Sequence, residues 1–233
     1  MVEIICCLDM SHFSGKNQGM LKELKKRNLI GMARVGRDTL DRASGVNGYS
    51  VGSVLINRCL QLEVPVFLDA KIFEIGSQAV QIAQALLDQH EGIRMLTVVG
   101  HELGEDTLRR IKLICQKKGV IVVATTSLTD TNNSRTMSIA KKAGVCGLQM
   151  VVCAGEEIEL VRPLGAVVPG VRPAWATWVR NDDQRRTATP EAVVKAKYVV
   201  VGRPINESPN PIETAERLHS ELRPVRAVPS ATA

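Results

Sequence analysis

Eight short apolar runs, each followed by a helix-like pattern, most constrain what this sequence can fold into. They lie at residues 4–8, 29–35, 66–68, 96–99, 120–124, 148–152, 166–168 and 198–201. Near-continuous apolar strands are typical of a parallel sheet covered on both faces, and the intervening stripes suit covering helices. We therefore predict an α/β fold, a closed (β/α)8 TIM barrel, with an open doubly wound sheet as the alternative. The first run lacks a GxGxxG segment after it, which weakens a dinucleotide-binding interpretation.

The length of 233 residues fits one such barrel, since barrels usually run to about 250 residues. We predict a single domain over residues 1–222 and a disordered Pro/Ala/Ser-rich tail over residues 223–233. The segment Thr189-Pro190-Glu191 predicts the start of the helix before the last strand, with threonine as the N-cap.

Composition and charge exclude several classes of function. The net charge is +6, but the basic residues mostly fall on predicted helix surfaces without stacking aromatics, so we expect no nucleic-acid partner. No segment approaches the roughly 20 apolar residues of a membrane span, and no leader precedes the first strand, so we expect a cytoplasmic protein. The six cysteines form no CxxC pair and the four histidines are scattered, so we expect buried reduced thiols and no metal site.

Chemistry in a barrel sits at the carboxyl ends of the strands. That rule alone identifies candidate site residues. They are Asp9, Arg34, Asp69, Lys71, Glu74, Ser127, Thr129, Arg172, Gly202 and Arg203.

The strand ends near the carboxyl terminus predict a phosphate site, because loops after strands 7 and 8 commonly bind phosphate in this fold. Arg172 and Arg203 can each fork onto phosphate oxygens, and Gln184 can donate an amide hydrogen. Gly202 allows a close backbone approach. Surface ion pairs are the alternative for the two arginines. The predicted grip is formed by residues 181–186 together with 201–205.

The segment at residues 67–77 places Asp69, Lys71 and Glu74 at the end of a buried strand. Such charges are costly unless they pair, and mutual attraction lowers carboxylate pKa values and raises that of a lysine. An ordinary surface salt bridge is the alternative, but charge clusters of this kind concentrate at functional sites.

This segment resembles the DxKxxD signature of the orotidine 5′-phosphate decarboxylase superfamily. Leu8-Asp9 and Ser127-Leu128-Thr129 resemble that family's first and fifth strand ends. Its closing third is matched in order by Pro169-Gly170-Val171-Arg172-Pro173, Asp183-Gln184-Arg185, Thr189-Pro190-Glu191 and Val201-Gly202-Arg203-Pro204-Ile205. The likeness spans about residues 2–220. It implies a cofactor-free homodimeric barrel that converts orotidine 5′-monophosphate to UMP and carbon dioxide.

The resemblance also implies roles for the charged residues. Lys71 would protonate C6 as carbon dioxide leaves, and Asp69 would lie beside the substrate carboxylate. Glu74 takes the place of an aspartate donated across the dimer interface. Arg34 takes the place of a lysine that contacts the ribose and completes the charge network.

Further residues would bind the substrate by the same resemblance. Asp9 would hold the ribose, and Thr129 or Ser127 would contact the pyrimidine. Gln78, where the family has a threonine, would reach the neighbouring site. Arg172, Gln184, Gly202 and Arg203 would hold the phosphate. The candidate lid is the stretch 173–183, whose two tryptophans, Trp175 and Trp178, would either pack when it closes or lie on the surface.

Arg34, Glu74 and Gln78 depart from the family pattern and leave two alternatives open. One is a superfamily enzyme acting on a sugar phosphate with magnesium, although such enzymes carry an acid where this chain has Arg34. The other is a non-catalytic or altered-activity nucleotide-binding descendant. The charge signs survive at Arg34 and Glu74, but the fork of arginine and the extra methylene of glutamate change the geometry.

Overall fold

Eight parallel strands close into a barrel in the order β1 to β8, with β8 paired back to β1. The structure is a computed structural model, and it describes residues 1–9, 12, 17–42, 50–126, 133–180, 184 and 186–223. The strands are β1 Glu3–Cys7, β2 Met32–Gly36, β3 Val66–Ile72, β4 Ile93–Val99, β5 Ile121–Thr125, β6 Met150–Val152, β7 Gly165–Pro169 and β8 Tyr198–Val201. The predicted (β/α)8 TIM barrel is therefore confirmed.

The helices alternate with these strands. They are α1 Gln18–Lys26, α2 Arg37–Leu40, α3 Val51–Gln61, α4 Gly76–Gln89, α5 Glu105–Lys117, α6 Asn133–Val145, α7 Arg203–Asn206 and α8 Pro211–Glu221. None of the helices in the described chain is long and apolar enough to cross a membrane.

The apolar residues form an inner and an outer layer because successive strand residues point to opposite faces. In β1, Ile5 lies inside the barrel, whereas Ile4 and Cys6 pack against the helices. The inner layer consists of Ile5, Met32, Phe67, Met95, Val123, Met150, Val152, Val167, Tyr198 and Val200. The barrel is thus a packed core, and its open volume lies at the strand ends.

The prediction that an α-helix begins at Thr189-Pro190-Glu191 is wrong. The structure has a single 3₁₀ turn, Glu191–Val193, with Pro190 at its N-cap. The reason is that Ala188 still pairs with Val171 at the barrel mouth, so few residues remain before β8 begins at Tyr198. The connection after β6 is likewise opened by a 3₁₀ turn, Gly155–Glu157.

The third strand is longer than its apolar run and carries an irregularity. Leu68 pairs with Leu96 and Ile72 pairs with Val98, so four steps along β3 match two along β4. Lys71 takes up part of this excess with φ of 48°, a left-handed conformation that is rare for residues with a side chain. Asp69 and Lys71 therefore lie within the strand and not after it.

Candidate active site

A cavity of ≈ 280 Å³ opens at the carboxyl ends of the strands, which is close to the lower end of ligand-pocket sizes. It brings together eight of the predicted site residues: Asp9, Arg34, Asp69, Lys71, Arg172, Gln184, Gly202 and Arg203. Ser127, Thr129 and residues 181–183 and 185 lie outside the described residues. The cavity thus collects both charged groups that the sequence placed at the barrel mouth.

Glu74 and Gln78 do not line this cavity. Glu74 lines a separate surface cavity with Phe73 and Arg37, and Gln78 is exposed in the first turn of α4. Within one chain, Asp69 therefore clusters with Lys71 and Arg34, and Glu74 lies apart from these three residues. The cause is the turn after β3, which carries Glu74 away from the barrel axis.

Asp69 is the centre of the charge cluster. Its Oδ2 accepts hydrogen bonds from Nε of Arg34 at 2.9 Å and from Nη2 of Arg34 at 2.6 Å. Nζ of Lys71 lies 3.6 Å from the same oxygen. The other oxygen, Oδ1, accepts from the hydroxyl of Thr97 at 2.8 Å. The carboxylate is thus held by two cations and one hydroxyl.

These partners keep Asp69 ionised although it is buried. Burial acts to raise the pKa of this carboxyl, but the charges of Arg34 and Lys71, with hydrogen bonds from Arg34 and Thr97, lower it by more. The net pKa lies below the usual value, as the sequence predicted for a carboxylate in this cluster. Asp69 is therefore a fixed negative charge at neutral pH.

Lys71 presents its ammonium to the cavity, and its side chain is 46% exposed. Its backbone N–H donates to the hydroxyl oxygen of Thr97 at 2.9 Å. Since Thr97 is fully buried, one hydroxyl fixes both the Asp69 carboxylate and the left-handed backbone at Lys71. Sequence reasoning missed Thr97, although a polar residue inside the apolar run 96–99 was a usable signal.

Replacing Thr97 with valine should lower kcat on the order of 10-fold, because it removes the hydroxyl that sets Asp69 against Lys71. It should also lower the free energy of unfolding by about 1–3 kcal/mol, the usual cost of leaving buried polar groups unpaired. Steady-state kinetics and urea denaturation measure the two effects. Thr97→Ser keeps the hydroxyl and should retain most of kcat; equal losses in both variants would contradict this role.

The opposite end of the cavity is built from the segments after β7 and β8. Nη2 of Arg172 lies 3.3 Å from Oε1 of Gln184. Gly170, at φ of 75°, leaves room for that amide, because a Cβ there would lie 2.7 Å from the same oxygen. Arg203 follows Gly202 at the start of α7. Two guanidinium groups and an amide therefore surround one end of the cavity, which suits a phosphate dianion.

Asp9 lies between the two ends. Its Oδ1 is 3.1 Å from Nδ1 of the buried His12, and its Oδ2 accepts from Nδ2 of Asn206 at 2.9 Å. Asn206 also donates to the carbonyl of Cys7 at 2.9 Å. These contacts fix the direction of the Asp9 carboxylate, which is 45% exposed.

Cys7 is a second residue that sequence reasoning missed. The other five cysteines are buried, as expected, but Cys7 lines the cavity and accepts from Nη1 of Arg34 at 3.0 Å. Alternation from the inward-facing Ile5 would have placed it there. Arg34 thus uses all three nitrogens, two on Asp69 and one on Cys7.

The described part of the predicted lid is already packed against the barrel. Nε1 of Trp175 donates to Oε1 of Glu221 at 2.8 Å, and the guanidinium of Arg217 lies 4.2 Å from a ring centroid of Trp175. Nε1 of Trp178 donates to the carbonyl of Pro204 at 3.0 Å. Of the two alternatives for the tryptophans, packing is the one observed, and it holds this segment beside Arg203.

The structure is a closed (β/α)8 barrel with a cavity at its mouth that is lined by both acidic and basic side chains. A family model described as "Orotidine 5'-phosphate decarboxylase / HUMPS family" matches residues 47–218. The chain belongs to this family, which confirms the resemblance seen in its sequence.

Individual relatives agree with the family assignment. The chain is 29% identical over 242 residues to the orotidine 5′-phosphate decarboxylase of Wolbachia pipientis subsp. Culex pipiens, covering 95% of this chain and 99% of that protein. It is 32% identical over 189 residues to that of Streptococcus sanguinis, covering 70% and 77%. A crystal structure of the Pyrococcus horikoshii OT3 enzyme matches with a TM-score of 0.67 at 18% identity, covering 94% and 98%, which supports the fold.

Proposed function

We propose that this protein decarboxylates orotidine 5′-monophosphate to UMP and carbon dioxide in pyrimidine biosynthesis. The observation that carries the proposal is one cavity with two distinct ends. The Lys71 ammonium lies beside the ionised Asp69 at one end, and Arg172, Gln184 and Arg203 lie at the other. A nucleotide monophosphate offers a dianion and a reactive base separated by a ribose, and therefore matches both ends.

In the proposed reaction, these groups act as follows. The bond between C6 and the carboxyl carbon breaks, its electron pair stays on C6, and carbon dioxide leaves. A fixed ammonium at C6 stabilises charge that develops only in the transition state. Lys71 then gives a proton to C6, forming the C–H bond of UMP, and is reprotonated from solvent. Asp69 disfavours the substrate carboxylate in the ground state, and phosphate binding at the far end holds C6 against Lys71. The chemistry calls for no cofactor.

Arg34 has a different task from the lysine it replaces. Two nitrogens of its guanidinium donate to Oδ2 of Asp69, while the Thr97 hydroxyl donates to Oδ1, so the two partners together fix the orientation of the carboxylate. A cation at this strand end also disfavours the magnesium-dependent sugar-phosphate alternative, which needs an acid there. The same fork is the observation that favours the altered-activity alternative, because it neutralises part of the Asp69 charge.

An absorbance assay with orotidine 5′-monophosphate, run with and without EDTA, tests the proposal. We expect UMP formation that EDTA does not change. Turnover lost in EDTA would favour a metal-dependent enzyme of the family. Tight UMP binding without turnover would select the non-catalytic nucleotide-binding alternative and overturn the proposed reaction.

The proposal includes a homodimer in which Glu74 and Gln78 reach the neighbouring site. It is supported by their position away from the cavity and by the exposed apolar side chains beside Glu74, since Phe73 is 48% and Ile75 72% exposed. Exposed apolar patches mark interaction surfaces. A cytoplasmic location fits the six free thiols.

Mixing two inactive variants tests the shared site. Lys71→Ala and Glu74→Gln should each lose activity, because each removes one charge from every site of a dimer. Co-refolded mixtures should regain activity, since a hybrid dimer contains one site with both residues intact. Mixtures of Lys71→Ala with Asp69→Asn, two changes on the same side of the site, should regain none. Equal behaviour of the two mixtures would contradict the shared site.

A further inference from the structure

Glu157 is a fully buried carboxylate that lies outside the cavity, on the 3₁₀ turn after β6. Its Oε1 accepts from the hydroxyl of Thr136 at 3.0 Å and lies 3.0 Å from Nη2 of Arg186. Its Oε2 accepts from the backbone N–H of Ala154 at 3.0 Å. Three separate parts of the chain therefore meet at one charged group.

Burying a carboxylate is costly unless every oxygen is well paired, and breaking one partner of a buried pair leaves an uncompensated charge. The three contacts of Glu157 meet that requirement together. Glu157 therefore holds three parts of the chain in one arrangement: the first turn of α6, the end of β6 and the segment at residues 186–188.

The segment at residues 186–188 leads directly from the phosphate end of the cavity. Its backbone pairs with the segment after β7: the N–H of Arg172 donates to the carbonyl of Ala188, and the N–H of Ala188 donates to the carbonyl of Gly170. Gly155 lets the segment pack on the 3₁₀ turn, because a Cβ there would lie 2.6 Å from the Cβ of Ala188. Arg186 is two residues from Gln184, which lines the cavity.

We propose that Glu157 is a positioning residue for the phosphate end of the cavity. Through Arg186 it fixes where Gln184 stands relative to Arg172 and Gly170. The choice of UMP as ligand rests on the proposed function, whereas the link between Glu157 and the segment at residues 186–188 does not.

Glu156 provides a matched control on the same 3₁₀ turn. It also pairs with Arg186, with Oε1 3.1 Å from Nε, but its side chain is 69% exposed while that of Glu157 is 0% exposed. Exposed ion pairs contribute little because solvent screens them. Two single variants, one without the charge of Glu156 and one without the charge of Glu157, therefore separate two effects. The first reports a general electrostatic effect on Arg186, and the second reports positioning by the buried carboxylate.

The experiment compares Glu157→Gln with Glu156→Gln in two measurements. In the unliganded proteins, hydrogen exchange of the Arg172 and Ala188 amides should be faster in Glu157→Gln and unchanged in Glu156→Gln. In calorimetric titrations, Glu157→Gln should raise the dissociation constant for UMP on the order of 10-fold, as expected for a misplaced contact. Its affinity for uridine, which lacks the phosphate, should stay as in the unchanged protein.

Equal weakening of UMP and uridine, or exchange rates unchanged at both amides, would overturn the proposal. If Glu157→Gln does not fold, the double variant Glu157→Gln/Arg186→Met removes both charges and should fold better. It should still bind UMP more weakly than the unchanged protein; full UMP affinity would overturn the proposal. If the unchanged protein does not decarboxylate orotidine 5′-monophosphate, the proposed function is wrong. The positioning role of Glu157 would still be tested by hydrogen exchange, because that measurement needs no ligand.

Discussion

Replacing Lys71 with alanine should abolish decarboxylation, with kcat lower on the order of 10⁴-fold, while UMP still binds. The ammonium lies 3.6 Å from the Asp69 carboxylate and lines the cavity, and in the proposed mechanism it supplies both the positive charge and the proton at C6. Product carries no charge at C6, and its phosphate is held at the other end. The loss should therefore fall on kcat and leave the dissociation constant for UMP within a few-fold.

Single-turnover absorbance measurements and calorimetry with UMP separate these two quantities. Lys195→Ala is the matched control, because this exposed lysine pairs only on the surface with Glu159 and should leave both values unchanged. Comparable UMP formation by Lys71→Ala would show that another group donates the proton, and the role proposed for Lys71 would be wrong.

The fold could be predicted from the sequence because buried parallel strands leave a strong pattern. Apolar runs located every strand of the barrel, but they did not locate its irregularities. The run 66–68 stopped before Asp69, although β3 continues to Ile72, because a charged residue inside a strand breaks the apolar pattern. The 3₁₀ turn before β8 was predicted as a helix because Thr189-Pro190-Glu191 is a pattern typical of a helix start, whereas the pairing of Ala188 with Val171 limits the residues available before β8.

The sequence placed Asp9, Arg34, Asp69, Lys71 and Arg203 at the carboxyl ends of strands, and all five line the cavity. Arg34, Asp69 and Lys71 lie within β2 and β3, whereas Asp9 and Arg203 come two residues after β1 and β8 end. Contacts between the segments that follow two neighbouring strands could not be predicted in the same way. Asn206 reaches Asp9 across 197 positions of sequence, and only the pairing of β8 with β1 brings them together.

The positions of Glu74 and Gln78 show a different limit. The resemblance assigned both residues to the neighbouring subunit's site, and in this chain neither of them lines the cavity that Lys71 lines. Spacing along a chain does not say which subunit's site a side chain serves, because the turn after β3 leads away from the cavity. The proposed role of both residues requires a second copy of the chain, and the mixing experiment tests this for Glu74.

Arg203 should be the main determinant of affinity for the phosphate. It lines the cavity next to Gly202, at the start of α7, and the carbonyl of Pro204 beside it is held by the indole N–H of Trp178. The backbone that carries Arg203 is thus held in place, and its guanidinium can form a bidentate pair with phosphate oxygens. Arg203→Ala should weaken UMP binding by about 3 kcal/mol, roughly 100-fold in the dissociation constant.

The effect should extend to catalysis, because binding energy at the phosphate holds C6 against Lys71. Arg203→Ala should therefore lower kcat/KM for orotidine 5′-monophosphate by at least as much, while kcat/KM for orotidine, which has no phosphate, stays unchanged. Arg162→Ala is the matched control, because this exposed arginine pairs on the surface with Glu159 and does not line the cavity. Unchanged UMP affinity in Arg203→Ala would sink the phosphate assignment, and equal losses with both substrates would mean that Arg203 supports the cavity and does not recognise the phosphate.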